Sequence, residues 1–240
     1  MEKKEPSKEE RSYKERQIEE ITDNLVKESG QLALAGNAYH HRIHLLNIIG
    51  EIEGHECLPP NSKTTKYEHV LPLLAEIEDN KQIDGMLVLL NTVGGDVEAG
   101  LAMAEMISSI HKPVVTLVLG GGHSIGVPLA VSGDYSFIVP TATMVVHPIR
   151  MNGLVLGVKQ NYEYIERMQD RIIDFTVTHS GVKEEKLRKI MMNTTQLVKD
   201  IGSMLVGKEA VQEGLIDEVG GIHEAMEFLH HLINEQRRQE

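Results

Sequence analysis

The sequence predicts an α/β fold built on a parallel sheet. Residues 86–90 (MLVLL) and 113–119 (PVVTLVL) are short, wholly apolar runs, typical of strands buried on both faces of a parallel sheet. Each run leads into a glycine-bearing turn and then into a helical segment, at 97–110 and 124–133. Two consecutive strand, turn and helix units are characteristic of α/β proteins.

The other elements follow from the same patterns. We expect strands at 42–52, 135–139 and 143–147, a proline-bearing loop at 58–70, and helices near 159–179, 183–193 and 223–236. Asp96 directly precedes the helix at 97–110, where its carboxylate can accept a hydrogen bond from a free N–H of the first turn.

Length and composition indicate one domain. With 240 residues and 41% hydrophobic residues, the chain can bury a substantial core. We expect that domain over residues 31–240, preceded by an arm over residues 1–30 that is helical or disordered. The first 30 residues contain 16 charged ones, seven basic and nine acidic, so a solvated arm is the simpler interpretation. An arm that contacts a neighbouring subunit is the alternative.

The charge balance excludes several classes of partner. The net charge is −12, and no basic block stands outside the mixed N-terminus, which argues against a nucleic-acid surface and against anionic membranes. The single cysteine, Cys57, cannot form an internal disulfide, and the N-terminus lacks the apolar core of a secretory signal. We therefore expect a cytoplasmic protein.

The uncharged run 113–133 is long enough to suggest a membrane span. Its glycines, Pro128, His123 and Ser124 would make a poor helix with polar groups facing lipid. We therefore predict a buried strand, a turn and a buried helix, and not an integral membrane protein.

The turn at 120–126 (GGGHSIG) does not have the spacing of a phosphate-binding loop or of a dinucleotide fingerprint, so no nucleotide or other cofactor is expected. Residues 122–126 do match G-x-S-x-G, in which small neighbours let a serine stand exposed between strand and helix. Ser124 is thus a candidate nucleophile, although a structural serine in a tight turn is the simpler alternative. The Ile125 N–H, and that of Gly94 or Gly95 at the end of the preceding parallel strand, could bind an oxyanion.

A serine nucleophile needs a base, and 12 histidines compete for that role. His147 ends the strand at 143–147 and is held by Pro148, so its ring emerges at an edge of the sheet. His123 is expected to pack beside Ser124. Two further groups are His40, His41 and His44, whose spacing suggests zinc but lacks an acidic partner, and His223, His230 and His231, expected to be solvated. We expect no metal site.

Three ordered motifs make the chain recognisable. Residues 91–134, 143–148 (TMVVHP) and 209–219 (EAVQEGLIDEV) resemble the Clp protease proteolytic subunits in order and spacing. The resemblance covers residues 42–220. It implies the ClpP/crotonase spiral fold, in which strand, strand and helix units wind into two stacked sheets with surrounding helices. It also implies a cytoplasmic serine peptidase, without a cofactor, that acts on peptides or unfolded proteins.

The resemblance assigns roles by position. Ser124 would be the nucleophile and His147 the general base, and the N–H groups of Gly94, Gly95 and Ile125 would hold the oxyanion. The family's aspartate falls at Gly202. We therefore take Asp200, two positions earlier, as the third member of a Ser-His-Asp catalytic site. The link after His147 would pair with substrate backbone.

Partners follow from the same resemblance. We expect a homo-oligomeric ring, heptameric by likeness to the family, with an ATP-dependent unfoldase as a candidate partner.

Three alternatives stay open. The first is an α/β-hydrolase esterase that uses Ser124 with Asp200 or Asp217 and His223 or His230. The second is a non-catalytic scaffold of the same fold that binds unfolded chains, and the third is acyl-CoA chemistry on the related crotonase fold.

Overall fold

The computed structural model describes residues 32–34, 40–150, 157–195 and 201–239. The arm predicted at 1–30 lies outside these residues, as do Asp200 and residues 151–156 of the link after His147.

The described residues form nine strands and seven helices. The strands are β1 (Leu32–Leu34), β2 (Ile43–Glu53), β3 (Thr64–Lys66), β4 (Gly85–Gly95), β5 (Val114–Gly122), β6 (Tyr135–Ile138), β7 (Thr143–Val146), β8 (Ser203–Val206) and β9 (Glu218–Val219). The helices are α1 (Tyr67–Asp79), α2 (Val97–Ser108), α3 (Gly126–Ala130), α4 (Val158–Thr178), α5 (Glu184–Met191), α6 (Lys208–Gln212) and α7 (Ile222–Gln239).

The main sheet is parallel, as predicted. Strands β2, β4, β5, β6 and β9 lie side by side in that order, β1 pairs antiparallel with β2 at the edge, and β3 pairs with the end of β2. A second, smaller sheet consists of the antiparallel pair β7 and β8, and joins the end of β5 where Gly121 faces Thr143. The predicted α/β spiral with two sheets is therefore confirmed.

Apolar side chains on the two faces of the main sheet form two cores. Helices α1 to α5 cover one face, where Leu46, Leu90 and Ile107 are fully buried. Helix α7 covers the other face and packs Leu229 and Ile233 against the strands. Burial on both faces explains why β4 and β5 are continuous apolar runs rather than alternating ones.

Two segments show where the patterns succeeded and where they failed. The uncharged run 113–133 divides into β5, a turn and α3, as predicted. Within the described residues, no helix is long and apolar enough to cross a membrane. The loop predicted at 58–70 is wrong beyond residue 63, because β3 and the start of α1 occupy its second half. Helix α1 forms despite Pro72 because Val70, Leu74 and Ile77 recur at helical spacing and are buried.

Candidate active site

Ser124 lies at a sharp turn between β5 and α3. Its φ angle is +58°, in the left-handed region that residues with a side chain seldom adopt. Hydrogen bonds hold the turn: the Gly126 N–H donates to His123 O at 2.8 Å, and the Val127 N–H donates to Ser124 O at 3.0 Å. A serine held in this conformation presents its hydroxyl away from both flanking elements.

The Ser124 backbone also binds the strand that leads to His147. The Ser124 N–H donates to Val145 O at 2.8 Å, across to β7. His147 follows Val145 by two residues, directly after the end of β7. One backbone hydrogen bond therefore holds the turn of the serine beside the strand of the histidine.

The turn at Gly94 and Gly95, at the end of β4, approaches Ser124 closely. Gly94 has a φ angle of +90°, and a Cβ atom there would lie 2.6 Å from Ser124 Cβ and 2.8 Å from His123 O. Only glycine lets the end of β4 come this near to the serine.

The backbone donors at this turn are not equivalent. The Gly94 N–H donates to Thr92 Oγ1 at 3.0 Å, so it is already paired. Ile125 is the N-cap residue of α3, and among the described residues its N–H makes no hydrogen bond. Of the predicted donors, the Ile125 N–H therefore suits an incoming anion better than that of Gly94.

The His147 ring has a defined tautomer. Its Nδ1 lies 2.6 Å from Pro148 O, and because a carbonyl only accepts, Nδ1 carries the hydrogen. The lone pair is then on Nε2. Within the described residues, no hydrogen bond joins the ring to Ser124 Oγ. Such bonds are often long in structures without substrate and shorten when it binds.

Ser124 and His147 line one cavity of about 370 Å³. Its mouth carries Glu51, Val93 and Arg150, and Gly95 and Ile125 also line it. Its inner wall is mainly apolar and is formed by α3, β7, α4 and α5 through Val127, Val146, Ile172, Thr176, Leu187 and Met191. The cavity thus combines the polar side chains of Ser124 and His147 with an apolar inner wall. Such a wall is suited to an uncharged organic group.

His123 has a structural role, as expected. Its Nε2 lies 2.8 Å from Thr143 Oγ1, and its ring contacts the backbone at Gly121. Burial lowers the pKa of His123, and the nearby His147 lowers it further. A neutral His123 thus adds no positive charge beside the candidate base.

The expected position of a third member is occupied by backbone. Gly202 lies against His147, and a Cβ atom at 202 would be 2.6 Å from Val146 O and 2.9 Å from His147 Cβ. The strand pairing explains this contact, because Val146 faces Ser203 in the β7–β8 pair. Asp200, the predicted third member, lies outside the described residues, so its position relative to His147 is not part of the described site.

The other histidines lie away from this cavity. His41 and His230 form a buried pair whose Nδ1 atoms are 2.9 Å apart. The prediction that His230 is solvated is therefore wrong: it stands one turn from Ile233 on the covered face of α7, and is 5% exposed. His223 and His231 are exposed, as predicted, and each lies near a glutamate of α7.

Of the residues of the esterase alternative, Asp217, His223 and His230 do not line the cavity of Ser124, and Asp200 lies outside the described residues. Asp217 accepts hydrogen bonds from the Ser136 N–H and hydroxyl, at 2.8 and 2.6 Å, between β6 and β9. His230 is bound to His41, and neither residue lines the cavity. Across the described part of the chain, no group of three or more His, Cys, Asp or Glu side chains is arranged to hold a metal ion.

Two features of the site are not evident from the sequence. One is Thr92, whose hydroxyl binds the turn at Gly94. The other is the inner wall, where Ile172 with Thr176 and Leu187 with Met191 are spaced four residues apart on their helices. That spacing is visible as one face of each helix, but it does not show that the two faces meet beneath Ser124.

Comparison with known proteins identifies the class to which this fold and site belong. The model of the Clp protease family matches residues 40–223, and the chain belongs to that family. It is 56% identical, over 81% of its own length and 76% of the relative's, to the translocation-enhancing protein TepA of Halalkalibacterium halodurans. It is also 27% identical to the ATP-dependent Clp protease proteolytic subunit 1 of Chlamydia muridarum, over 56% of this chain and 69% of that one.

Proposed function

We propose that this chain is a serine endopeptidase that hydrolyses peptide bonds in peptides or unfolded proteins. The observation that carries the proposal is the hydrogen bond from the Ser124 N–H to Val145 O. It fixes the half-buried serine beside the strand that leads to His147, and both side chains line one cavity. Membership of the Clp protease family supports the same reaction class.

The reaction follows from the polarity of these groups. Ser124 Oγ attacks the carbonyl carbon of the scissile bond, and its proton passes to His147 Nε2. The carbonyl oxygen becomes an anion that accepts hydrogen bonds from the Ile125 N–H and the Gly95 N–H. The tetrahedral intermediate then collapses, and the leaving amine takes the proton from His147. Water hydrolyses the acyl-enzyme by the same steps and regenerates Ser124.

The orientation of His147 requires an acceptor at Nδ1. Pro148 O fills that role in the described structure and keeps the lone pair on Nε2. We propose that Asp200, as the third member, replaces Pro148 O as the acceptor at Nδ1 and stabilises the imidazolium that forms when His147 takes the proton. Gly202 lies against the Cα and Cβ atoms of His147 and carries no side chain that could block an approach by the carboxylate.

The substrate is an extended chain whose backbone passes the mouth of the cavity. An extended peptide can pair with the link after His147 as an added strand, which reads main chain more than side chain. An apolar side chain of that peptide fits the inner wall.

We further propose that the protein is cytoplasmic and assembles into a heptameric ring. The name of the relative from Chlamydia muridarum supports an ATP-dependent unfoldase as a partner. That of the relative from Halalkalibacterium halodurans supports a link to preprotein processing or protein export. A single subunit should be poorly active, so sedimentation analysis that finds a fully active monomer would contradict the assembly.

A fluorophosphonate probe and an unfolded protein such as casein test the proposal together. We expect the probe to modify Ser124, and Ser124→Ala to reduce turnover at least about 10³-fold with the fold intact, because the change removes one hydroxyl. Ser132→Ala is the matched control, since Ser132 is a buried serine of the same region whose hydroxyl donates to Leu129 O at 2.9 Å. Wild-type turnover in Ser124→Ala would exclude this serine as the nucleophile.

A non-catalytic scaffold is the second candidate. It is favoured by the absence of a hydrogen bond between Ser124 Oγ and His147 within the described residues and by Gly202 in the place of an acid. Such a protein would bind casein yet gain no fluorophosphonate adduct as a monomer or in any assembly.

A further inference from the structure

We propose that Thr92 is a positioning residue of this site. Its hydroxyl fixes the turn at Gly94 and Gly95 relative to Ser124, and so sets where the oxyanion is held. The inference rests on the proposed peptidase function and adds to it a residue that never touches the substrate.

The pairing of β2 with β4 contains an irregularity. Gly50 of β2 faces Thr92 of β4, but the next residue, Glu51, faces Gly94. Val93 therefore has no counterpart in β2, and it is 63% exposed at the mouth of the cavity. An extra residue of this kind bends a strand and redirects the residues after it. In β4 the redirected residues are Gly94 and Gly95.

The Thr92 hydroxyl joins the two sides of this irregularity. It donates to Gly50 O at 2.6 Å and accepts the Gly94 N–H at 3.0 Å. Thr92 is 1% exposed, so water cannot replace either bond easily. Where the regular ladder is interrupted, one side chain supplies both the donor and the acceptor that the backbone requires.

The other atoms of Thr92 face the serine turn. Its carbonyl accepts the His123 N–H at 3.2 Å, and its methyl group lies against Gly126, where an added Cβ would be only 2.7 Å away. Thr92 thus contacts the residue before Ser124 and the first residue of α3. Thr92 therefore holds both the turn at Gly94 and Gly95 and the turn at Ser124.

This double contact matters for the chemistry of the oxyanion. The oxyanion donors come from two turns, Gly95 on one and Ile125 on the other, and stabilise charge only when both lie within hydrogen-bond distance of one oxygen atom. Losing the hydroxyl frees Gly50 O and the Gly94 N–H and lets the first turn shift. The loss should therefore affect the transition state more than substrate binding.

Three variants and one control test this role in the assembled, full-length protein with casein and a fluorogenic peptide. Thr92→Val removes the hydroxyl and keeps the shape, and we expect kcat to fall about 10- to 100-fold while KM changes less than about two-fold. Thr92→Ser keeps both hydrogen bonds, and we expect kcat within about three-fold of wild type. Thr92→Ala is measured in the same way if the valine variant does not fold.

The control is Thr116→Val. Thr116 is a fully buried threonine on the neighbouring strand, and its hydroxyl donates to Ala130 O without contacting either turn. We expect it to lower the melting temperature as much as Thr92→Val does but to leave kcat unchanged. The rate of fluorophosphonate modification of Ser124 should fall in Thr92→Val and not in Thr116→Val.

The outcomes separate this inference from the proposed function. Wild-type hydrolysis that depends on Ser124, together with equal kcat in Thr92→Val and Thr116→Val, overturns the role of Thr92 and leaves the peptidase standing. A rise in KM with unchanged kcat in Thr92→Val overturns it as well. If the wild-type protein shows neither hydrolysis nor a fluorophosphonate adduct, the proposed peptidase function is wrong. The proposed role of Thr92 is then wrong as well.

Discussion

Two histidine environments in this molecule differ in what surrounds the rings. His147 lies after the end of β7, lines an open cavity with Ser124, and bonds to a backbone carbonyl. His41 and His230 lie between the start of β2 and α7, with ring centroids 5.1 Å apart, and are 1% and 5% exposed. The same residue type thus borders a cavity at one place and is closed off by packing at the other.

A non-glycine residue in the left-handed conformation stands at both sites: Ser124 has a φ angle of +58°, and His40, next to His41, has one of +56°. Such a conformation costs free energy and persists only because neighbouring elements hold it. The two sites differ in that Ser124 lines the cavity, whereas neither histidine of the buried pair does. We therefore expect changes near Ser124 to reduce activity more than stability, and changes at the pair to do the opposite.

The largest expected effect separates the two environments directly. His147→Gln removes the base, and we expect kcat to fall about 10³- to 10⁴-fold with little change in melting temperature. Steady-state hydrolysis of a fluorogenic peptide measures the first quantity and circular dichroism the second. If the variant keeps more than a tenth of wild-type kcat, His147 is not the base.

Gly94→Ala should have the next largest effect. The new Cβ atom would approach Ser124 Cβ and His123 O closer than real contacts allow, and alanine tolerates a φ angle of +90° poorly. We expect kcat to fall about 10²-fold, since the two turns must separate. Gly133→Ala is a control for a crowded glycine away from the cavity, because its Cβ would meet Val114 O at 2.9 Å. Equal losses of activity in both variants would point to general destabilisation.

Much of the serine environment was predictable because it depends on local sequence. The apolar run of β5 and the small residues around Ser124 are contiguous, so their pattern predicts the turn directly. Asp96 was likewise predicted to cap α2, and it accepts the Ala99 N–H at 2.8 Å. The role of Thr92 was not predictable, because it arises from a register shift between strands about 40 residues apart in the chain.

The histidine pair escaped prediction for a related reason. Charged neighbours on the final helix suggested a solvated face, but His230 falls four residues after Met226 and three before Ile233, on the apolar stripe. This helical spacing places His230 on the face of α7 that is buried against the sheet. The partner, His41, is 189 residues away in the chain, and only the packing of α7 against β2 brings the rings together.

The third expected effect is on stability alone. His230→Leu removes one of the hydrogen-bond partners of the buried His41 ring and leaves the bond with Asn234, and we expect the free energy of unfolding to fall by about 1–3 kcal/mol. His231→Leu is the matched control, because the His231 side chain is 60% exposed and should change stability by less than about 0.5 kcal/mol. Urea denaturation measures both. A change in kcat in His230→Leu would contradict the separation of the two environments.

The smallest effect is a pH dependence of stability that belongs to the pair. Burial lowers the pKa of both rings below the ordinary value of 6.5; Arg237 lowers that of His41 further, while Asp84 and Asn234 act in the opposite direction. In the unfolded chain both rings take up a proton near pH 6.5, but in the folded chain they remain neutral to lower pH. The unfolded state therefore binds more protons, so stability is lost as the pH falls through about 6.5.

Each histidine contributes at most about 1.4 kcal/mol per pH unit to this slope between pH ~6.5 and its folded pKa. Burial also lowers the pKa values of His44 and His123, so they produce part of the same slope in the wild-type protein. The double variant His41→Leu with His230→Leu removes both members of the pair at once, and should be nearly as stable as wild type at about pH 8, because apolar groups replace both partners of the contact between the two rings. Urea denaturation from about pH 5 to pH 8 should then give a shallower loss of stability in the double variant. Parallel curves for the two proteins would mean that the pair takes up protons in the folded state as readily as in the unfolded state, and that its packing does not exclude charge.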